Sequence, residues 1–118
     1  MSLRNALLER VEEVFSVTPE YLFEKTPLTA VFRHLSHKKW FGIVMTVAPR
    51  VLGLSGEKPV DILNVKLDPL AVGGLLGQKG FLPAYHMNKT HWITVLLDGS
   101  VPLSEIETLL SISFDLTK

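Results

Sequence analysis

Residues 81–99, FLPAYHMNKTHWITVLLDG, contain the most distinctive pattern of the chain and decide its predicted fold. An extended segment at residues 84–88 leads through a polar turn to the apolar run 92–97, which an aspartate-glycine pair stops. Two extended segments joined by a short polar turn are typical of a β-hairpin. No catalytic signature occurs in this stretch, so it predicts a fold and a surface but no reaction.

A second hairpin is predicted upstream, where two segments rich in β-branched and aromatic residues flank a polar turn. These segments are residues 29–33 and 40–47, and the sequence HLSHKK separates them. A loop with two glycines and two prolines follows at residues 49–59, and a further strand is predicted at residues 60–67. The chain therefore has five predicted strands.

Helices are predicted at both ends of the chain from apolar residues at helical spacing. Residues 3–15 carry an apolar stripe opposite charged residues, and Ser2 is a suitable N-cap. The last helix starts at Pro102, and the apolar residues that share one of its faces are Leu103, Ile106, Leu109, Leu110 and Phe114. Both apolar faces predict packing against a sheet.

A third, shorter helix is predicted between the strands. Asp68 can cap its free N–H groups, Pro69 suits its first position, and it runs to about residue 76. Gly73 and Gly74 each cost about 1 kcal/mol inside a helix. This cost is explained if the helix lies too close to the sheet for a side chain to fit, so we expect close packing of these glycines against the sheet.

The order of these elements is helix, three strands, helix, two strands, helix. It predicts a two-layer α+β fold with a five-stranded, mainly antiparallel sheet and helices on one face. A chain of 118 residues can bury a sufficient core as one domain, here residues 1–118.

Composition limits the possible functions. The chain has no cysteine, which excludes disulfides and thiolate chemistry. Its 12 basic and 12 acidic residues give a formal charge of zero, whereas nucleic-acid binders usually carry a positive excess. Charges interrupt the N-terminal apolar residues, and no apolar stretch approaches the roughly 20 residues that span a bilayer. We expect a cytoplasmic monomer with no cofactor.

The candidate binding residues lie in and around the two turns, which contain all four histidines. Arginine and lysine contact phosphates, while asparagine and aromatic rings can reach or stack on bases. If both turns point the same way, they form two basic prongs on a neutral protein. The candidate nucleic-acid-binding residues are Arg33, His34, His37, Lys38, Lys39, His86, Asn88, Lys89 and His91.

Neither a catalytic nor a metal site is predicted, and we expect that the protein is not an enzyme. His86 and His91 flank one turn, but their spacing matches no compact zinc motif and no carboxylate or thiolate accompanies them. The chain has no G-x-S-x-G motif, and its segment GGLLGQKG lacks the Gly-Lys-Ser/Thr ending of a phosphate loop.

Three segments give the chain a resemblance to the MmcQ/YjbR family of small bacterial proteins. The first is the turn HMNK, which is followed by a histidine-tryptophan pair and an apolar strand ending in aspartate-glycine. The others are residues 30–41, AVFRHLSHKKWF, and residues 110–116, LSISFDL. Phe114 stands where the family more often has tyrosine. The resemblance implies a compact α+β fold of the secretion-chaperone-like or frataxin-like kind and a "double-wing" DNA-binding role.

Two functional hypotheses follow. In the first, the protein binds DNA by contacting phosphates through both basic turns. In the second, it is an interaction or adaptor domain that receives a peptide or partner protein on its sheet face; here the turns are only solvated sheet ends. In either case Trp40 and Trp92, which each open a strand, are expected to be core anchors. Zero net charge favours the second hypothesis, and the clustered basic residues favour the first.

Overall fold

Both predicted hairpins lie in one antiparallel sheet in the computed structural model, which describes residues 2–118. Within those residues, the helices are α1 (Leu3–Phe15), α2 (Pro69–Leu75) and α3 (Leu103–Leu116). The strands are β1 (Ala30–Arg33), β2 (Trp40–Val47), β3 (Val60–Lys66), β4 (Phe81–Pro83) and β5 (Trp92–Leu96), and they lie in the order β1-β2-β3-β5-β4. A short 3-10 helix, Pro49–Leu52, occupies part of the loop predicted after β2.

The strand register places both turns at the same end of the sheet. In β2, Gly42 lies opposite Val65 of β3, and Val65 lies opposite Ile93 of β5. Since β2 and β5 are each antiparallel to β3, they run in the same direction. The turns that precede β2 and β5 therefore leave the sheet at one end, which we call the turn end.

One face of the sheet packs against the helices and forms the main core. Leu7 and Val11 of α1, with Ile106 and Leu110 of α3, are fully buried in the same hydrophobic cluster as Phe41 of β2. Ser2 caps α1 by accepting a hydrogen bond from the Asn5 N–H, as expected. Leu103 and Phe114 pack at the edge of the cluster.

The C-terminal half of α3 is fixed to the sheet by Ser113, which is fully buried. Its hydroxyl donates to the Phe41 carbonyl at 2.6 Å and accepts from the Lys66 N–H at 2.9 Å. Phe41 lies where the β1–β2 register shifts, so the bulge leaves its carbonyl free of the ladder. This contact brings the C-terminus of α3 to the turn end.

The second face of the sheet is covered by irregular chain instead of helices. Asn64 of β3 and Thr94 of β5 point to this face, and each is 0% exposed. The Asn64 amide donates to the Tyr85 carbonyl, and the Thr94 hydroxyl accepts from the Tyr85 N–H and donates to Asn64 Oδ1. This closed set of hydrogen bonds holds the segment after β4 against the sheet.

Two predictions about local structure are wrong. The fourth strand is Phe81–Pro83 and not residues 84–88, because the backbone of Tyr85 bonds to the side chains of Asn64 and Thr94 and leaves the ladder. The glycines of α2 do not pack closely, since a Cβ at Gly73 or Gly74 would meet nothing within 4 Å.

Within residues 2–118, no helix combines the length and the apolar character needed to cross a membrane.

Candidate nucleic-acid interface

The first turn is a tight loop that exposes two lysines. The His34 N–H donates to the Lys39 carbonyl at 2.9 Å, and the Lys38 N–H donates back to the His34 carbonyl at 3.1 Å. Lys38 adopts a left-handed conformation with φ 65°, which closes the loop. The side chains of His37, Lys38 and Lys39 are exposed, as predicted.

His34 does not belong to this exposed surface, so its assignment as a binding residue is corrected. The residue is only 5% exposed, and its ring packs against those of Phe41 and Phe114. Its Nε2 lies 2.7 Å from Thr117 Oγ1, and this hydroxyl also lies 2.8 Å from the Ser113 carbonyl. Burial, and then the neighbouring His37, lower the pKa of His34, so the neutral ring is favoured.

Arg33 is exposed in part but is already paired. An isolated bridge between Glu20 and Val31 places the Glu20 carboxylate beside β1, where it accepts two hydrogen bonds from the Arg33 guanidinium at 2.7 and 2.6 Å. This pairing lowers the pKa of Glu20 and raises that of Arg33, so both stay charged and neutralise each other. Arg33 thus has a carboxylate partner in the folded protein, which makes it a weaker candidate for phosphate contact than an unpaired lysine.

The second turn is shaped by Asn88. Its Oδ1 accepts from the N–H groups of Thr90 at 2.9 Å and His91 at 3.0 Å, and its carbonyl accepts from the Trp92 N–H. Such an asparagine stabilises a turn through its own side chain. Lys89 and His91 are exposed beside it. Asn88 therefore fixes the turn from which Lys89 and His91 extend into solvent. Of its own side chain, the amide N–H₂ group forms no hydrogen bond with residues 2–118.

Two stacked rings precede this turn, of which Tyr85 is half-buried and His86 is exposed. The Tyr85 and His86 rings stack with centroids 4.0 Å apart and an interplanar angle of 19°. His86 has a left-handed backbone with φ 59°, a conformation that costs a non-glycine residue about 1–2 kcal/mol. The backbone bonds from Tyr85 to Asn64 and Thr94 hold the pair in place. We call Tyr85 and His86 the ring pair.

A groove of about 340 Å³ runs along the second sheet face beside the ring pair. Its floor comes from alternate residues of β2, and Phe23 and Trp40 meet edge to face with centroids 6.1 Å apart. The principal side chains of the groove are Phe23, Trp40, Ile43, Met45, Tyr85 and Met87. A smaller groove of about 220 Å³ lies on the other side of the ring pair and includes Lys89.

The two tryptophans are not core anchors, contrary to the prediction. Trp40 and Trp92 are half-buried and lie outside the main core cluster. The register explains this, because Ile93 points into the core and its neighbour Trp92 consequently points to the second face.

Sequence reasoning missed Lys66, the last residue of β3. It lies opposite Trp92 and, because β3 is the strand between β2 and β5, it stands between the two turns. Its side chain is half-buried, and within residues 2–118 it forms no ion pair. The basic side chains at the turn end that have no ion-pair partner among the described residues are Lys38, Lys39, Lys66 and Lys89.

Across residues 2–118, no three histidine, aspartate or glutamate side chains converge closely enough to hold a metal ion.

Three helices and a five-stranded antiparallel sheet make this chain a small α+β protein. The YjbR family model matches residues 12–116 of the chain. An uncharacterized protein YyaQ from Bacillus subtilis is 42% identical over 118 residues, which is 100% of both chains. The chain therefore belongs to the YjbR family. The uncharacterized protein YjbR from Escherichia coli is 53% identical over 32 residues, 27% of each chain.

Solved structures agree with this assignment. A crystal structure of a Pseudomonas syringae protein has a TM-score of 0.95 and 40% identity, and the match covers 98% of both chains. A crystal structure of a Deinococcus radiodurans protein with the domain DUF419 has a TM-score of 0.72 and 27% identity, covering 98% of this chain and 78% of that one. These neighbours confirm the predicted α+β fold.

Proposed function

We propose that this YjbR-family chain is a non-enzymatic DNA-binding protein that acts as a monomer in the bacterial cytoplasm and contacts phosphates with its turn end. The observation that supports this proposal is the common direction of the two turns. It gathers Lys38, Lys39 and Lys89 at one end of a protein whose overall formal charge is zero, and it adds Lys66 between them.

The interface proposed here differs from the set predicted from sequence. His34 is buried and Arg33 is paired with Glu20, so the proposed interface includes neither. His37, His86, Asn88 and His91 stay in the set as exposed neighbours of the lysines.

Affinity should be low and strongly dependent on salt. Each neutralised phosphate contributes about −0.9 to the slope of log K against log salt for duplex DNA. The three exposed lysines therefore predict a slope of about −2.7, and Lys66 would bring it to about −3.6. Few contacts of this kind supply binding with little sequence preference.

The test is fluorescence anisotropy of a labelled duplex DNA at low and moderate salt. A triple variant with Lys38→Gln, Lys39→Gln and Lys89→Gln removes three charges from the turn end. We expect its affinity to fall by at least tenfold at low salt, and its salt slope to shrink to about −0.9, the contribution of one phosphate at Lys66.

A matched control removes charge from the opposite end of the sheet. Lys58 and Lys79 are exposed and lie near the far ends of β3 and β4, respectively. The double variant Lys58→Gln, Lys79→Gln should bind as the unmodified protein does, whereas Lys38→Gln, Lys39→Gln, which removes the same charge from the turn end, should bind more weakly. Equal losses in both double variants, or no binding at low salt, would contradict the proposal.

One observation favours the second candidate, an interaction domain for a peptide or partner protein. Phe23, which lines the groove, belongs to a segment before β1 whose large apolar side chains are exposed, namely Tyr21, Leu22, Phe23 and Leu28. Exposed apolar surface beside a groove is a common feature of peptide-binding sites. This candidate would take precedence if DNA binding is absent.

A further inference from the structure

We propose that the ligand of this surface is a single-stranded stretch of DNA, with its phosphates on the turn-end lysines and one unpaired base in the groove between Trp40 and the ring pair. The inference rests on the proposed function and adds the strand type and the base site.

The first reason is that the same short segments supply both the lysines and the rings. Trp40 directly follows Lys39, and Lys89 comes three residues after His86. Lys89 and the ring pair also line the smaller groove together. Basic residues interleaved with exposed rings are the pattern by which proteins hold single strands, with phosphates on the cations and bases stacked on the rings.

The second reason is the chemistry of the groove. Its volume of about 340 Å³ lies within the range of roughly 300–1,000 Å³ found for small-ligand sites. Its floor is formed by Ile43 and Met45, with Met87 at its side, and no lysine, arginine, aspartate or glutamate lines it. A flat, uncharged ring suits such a groove, and methionine side chains adapt to different ring shapes. Duplex DNA keeps its bases paired and would leave this groove empty.

The third reason is that the ring pair reaches the surface, with His86 exposed and Tyr85 half-buried, although its position is held firmly. Asn64 and Thr94 use buried hydrogen bonds to fix the Tyr85 backbone, and His86 keeps a left-handed conformation next to it. Within residues 2–118, the His86 ring has no hydrogen-bond partner that would account for that conformation. A strained backbone held by its surroundings is a frequent feature of ligand sites.

The experiment compares a poly-dT oligomer with a matched duplex. In a Trp92→Phe background, Trp40 is the remaining tryptophan and reports on the groove. We expect the oligomer to quench Trp40 fluorescence and the duplex to leave it nearly unchanged. Each phosphate of a single strand contributes about −0.7 to the salt slope, so three phosphates predict a slope of about −2.1 for the oligomer. This slope is shallower than the value of about −2.7 expected for duplex.

Two variants test the base site separately from the lysines. Tyr85→Ala removes one ring and leaves the backbone bonds to Asn64 and Thr94 in place, and His86→Gly removes the other while relieving the left-handed strain. Each should weaken oligomer binding roughly tenfold, as expected for the loss of one stacked base, and leave duplex binding unchanged. Thermal melts confirm that both variants are folded.

The outcomes separate this inference from the function on which it rests. If the turn-end lysine variant weakens binding of both DNAs but Tyr85→Ala weakens neither, the base site is wrong and DNA binding stands. If the oligomer quenches Trp40 equally in the lysine variant and the unmodified protein, the phosphate role fails while the groove still binds a base. Equal quenching by duplex and oligomer would overturn the preference for a single strand.

Discussion

At the scale of single residues, His34 shows how a polar side chain next to a basic turn becomes part of the core. The β1–β2 bulge and the C-terminal half of α3 close around its ring, and Phe41, Phe114 and Thr117 contact it. Burial disfavours the charged form of an imidazole, so the pKa of His34 is lowered.

This shift predicts a pH dependence of stability. The unfolded chain gains a proton at His34 below about pH 6.5, while the folded protein resists protonation until its lower pKa is reached. Stability is therefore complete above about pH 6.5 and falls as the pH drops towards the folded pKa, by up to about 1.4 kcal/mol per pH unit. Urea unfolding between pH 7.5 and 5.5 measures the loss.

The matched variants for this prediction are His34→Gln and His37→Gln. His34→Gln removes the buried titrating group, so its stability should vary less over this range than that of the unmodified protein. His37→Gln changes an exposed histidine of the same turn and should keep most of the dependence. Identical pH profiles for all three proteins would show that His34 is not the cause.

A second residue-scale prediction concerns Asn64. Replacing it by alanine leaves the Thr94 hydroxyl and the Tyr85 carbonyl without their partner on the second face. A buried polar group left unsatisfied costs about 1–3 kcal/mol, so Asn64→Ala should lower the free energy of unfolding by about 2–3 kcal/mol. Asn88→Ala, which removes hydrogen bonds in an exposed turn, should cost about 1 kcal/mol. Urea melts that rank the two variants in the reverse order would contradict the role of Asn64.

At the scale of elements, α2 contains glycines that its packing does not need. A Cβ at Gly74 would meet nothing within 4 Å, whereas one at Gly42 in β2 would lie 2.8 Å from Phe32 Cδ2 and 3.0 Å from Leu110 Cδ2. Gly42 of the central sheet is thus closely packed, whereas the two glycines of the short helix are not.

The two positions predict opposite effects of the same substitution. Gly74→Ala should raise the free energy of unfolding by about 0.5–1 kcal/mol, because alanine is the better helix residue and loses less backbone entropy on folding. Gly42→Ala should lower it by about 1–3 kcal/mol through overpacking. Denaturant melts of both variants check the prediction, and a loss of stability in Gly74→Ala would mean that α2 packs more tightly than described.

At the scale of the whole molecule, the effect of a charged side chain on DNA binding depends on the end of the sheet at which it lies. The principal axes are 40, 33 and 25 Å long, while the screening length is about 10 Å at 0.1 M salt. A charge at the far end of the sheet therefore contributes little to binding at the turn end. Because the formal net charge is zero, the protein as a whole does not attract DNA. The effect of a surface charge on DNA affinity therefore depends on its position.

Two charge reversals of equal size test this arrangement. Asp115 is exposed in the last turn of α3, which reaches the turn end, and Glu57 is exposed in the loop before β3 at the far end. Asp115→Lys should raise DNA affinity roughly fivefold at 0.1 M salt, which corresponds to about 1 kcal/mol for an exposed charge contact. Glu57→Lys should leave it unchanged in the same anisotropy titration. Equal gains would show that net charge, and not its location, governs binding.

The sequence by itself determined the fold class, because hydrophobic period and turn chemistry are local properties. The bounds of α1 and β2 coincide with those predicted, and Ser2 and Asp68 cap the helices as expected. It also placed basic residues in two turns. The order of the strands in the sheet, with β3 paired to β5, was not predicted and came from the structure.

Only the tertiary structure decided which of those residues face solvent and what they contact. The burial of His34, the pairing of Arg33 with Glu20 and the position of Lys66 between the turns all depend on residues distant in the chain. Likewise, the groove exists because Asn64 and Thr94 capture the backbone of Tyr85, which ends β4 early. Local periodicity carries no information about such contacts, because their energies come from partners that only the folded chain brings together.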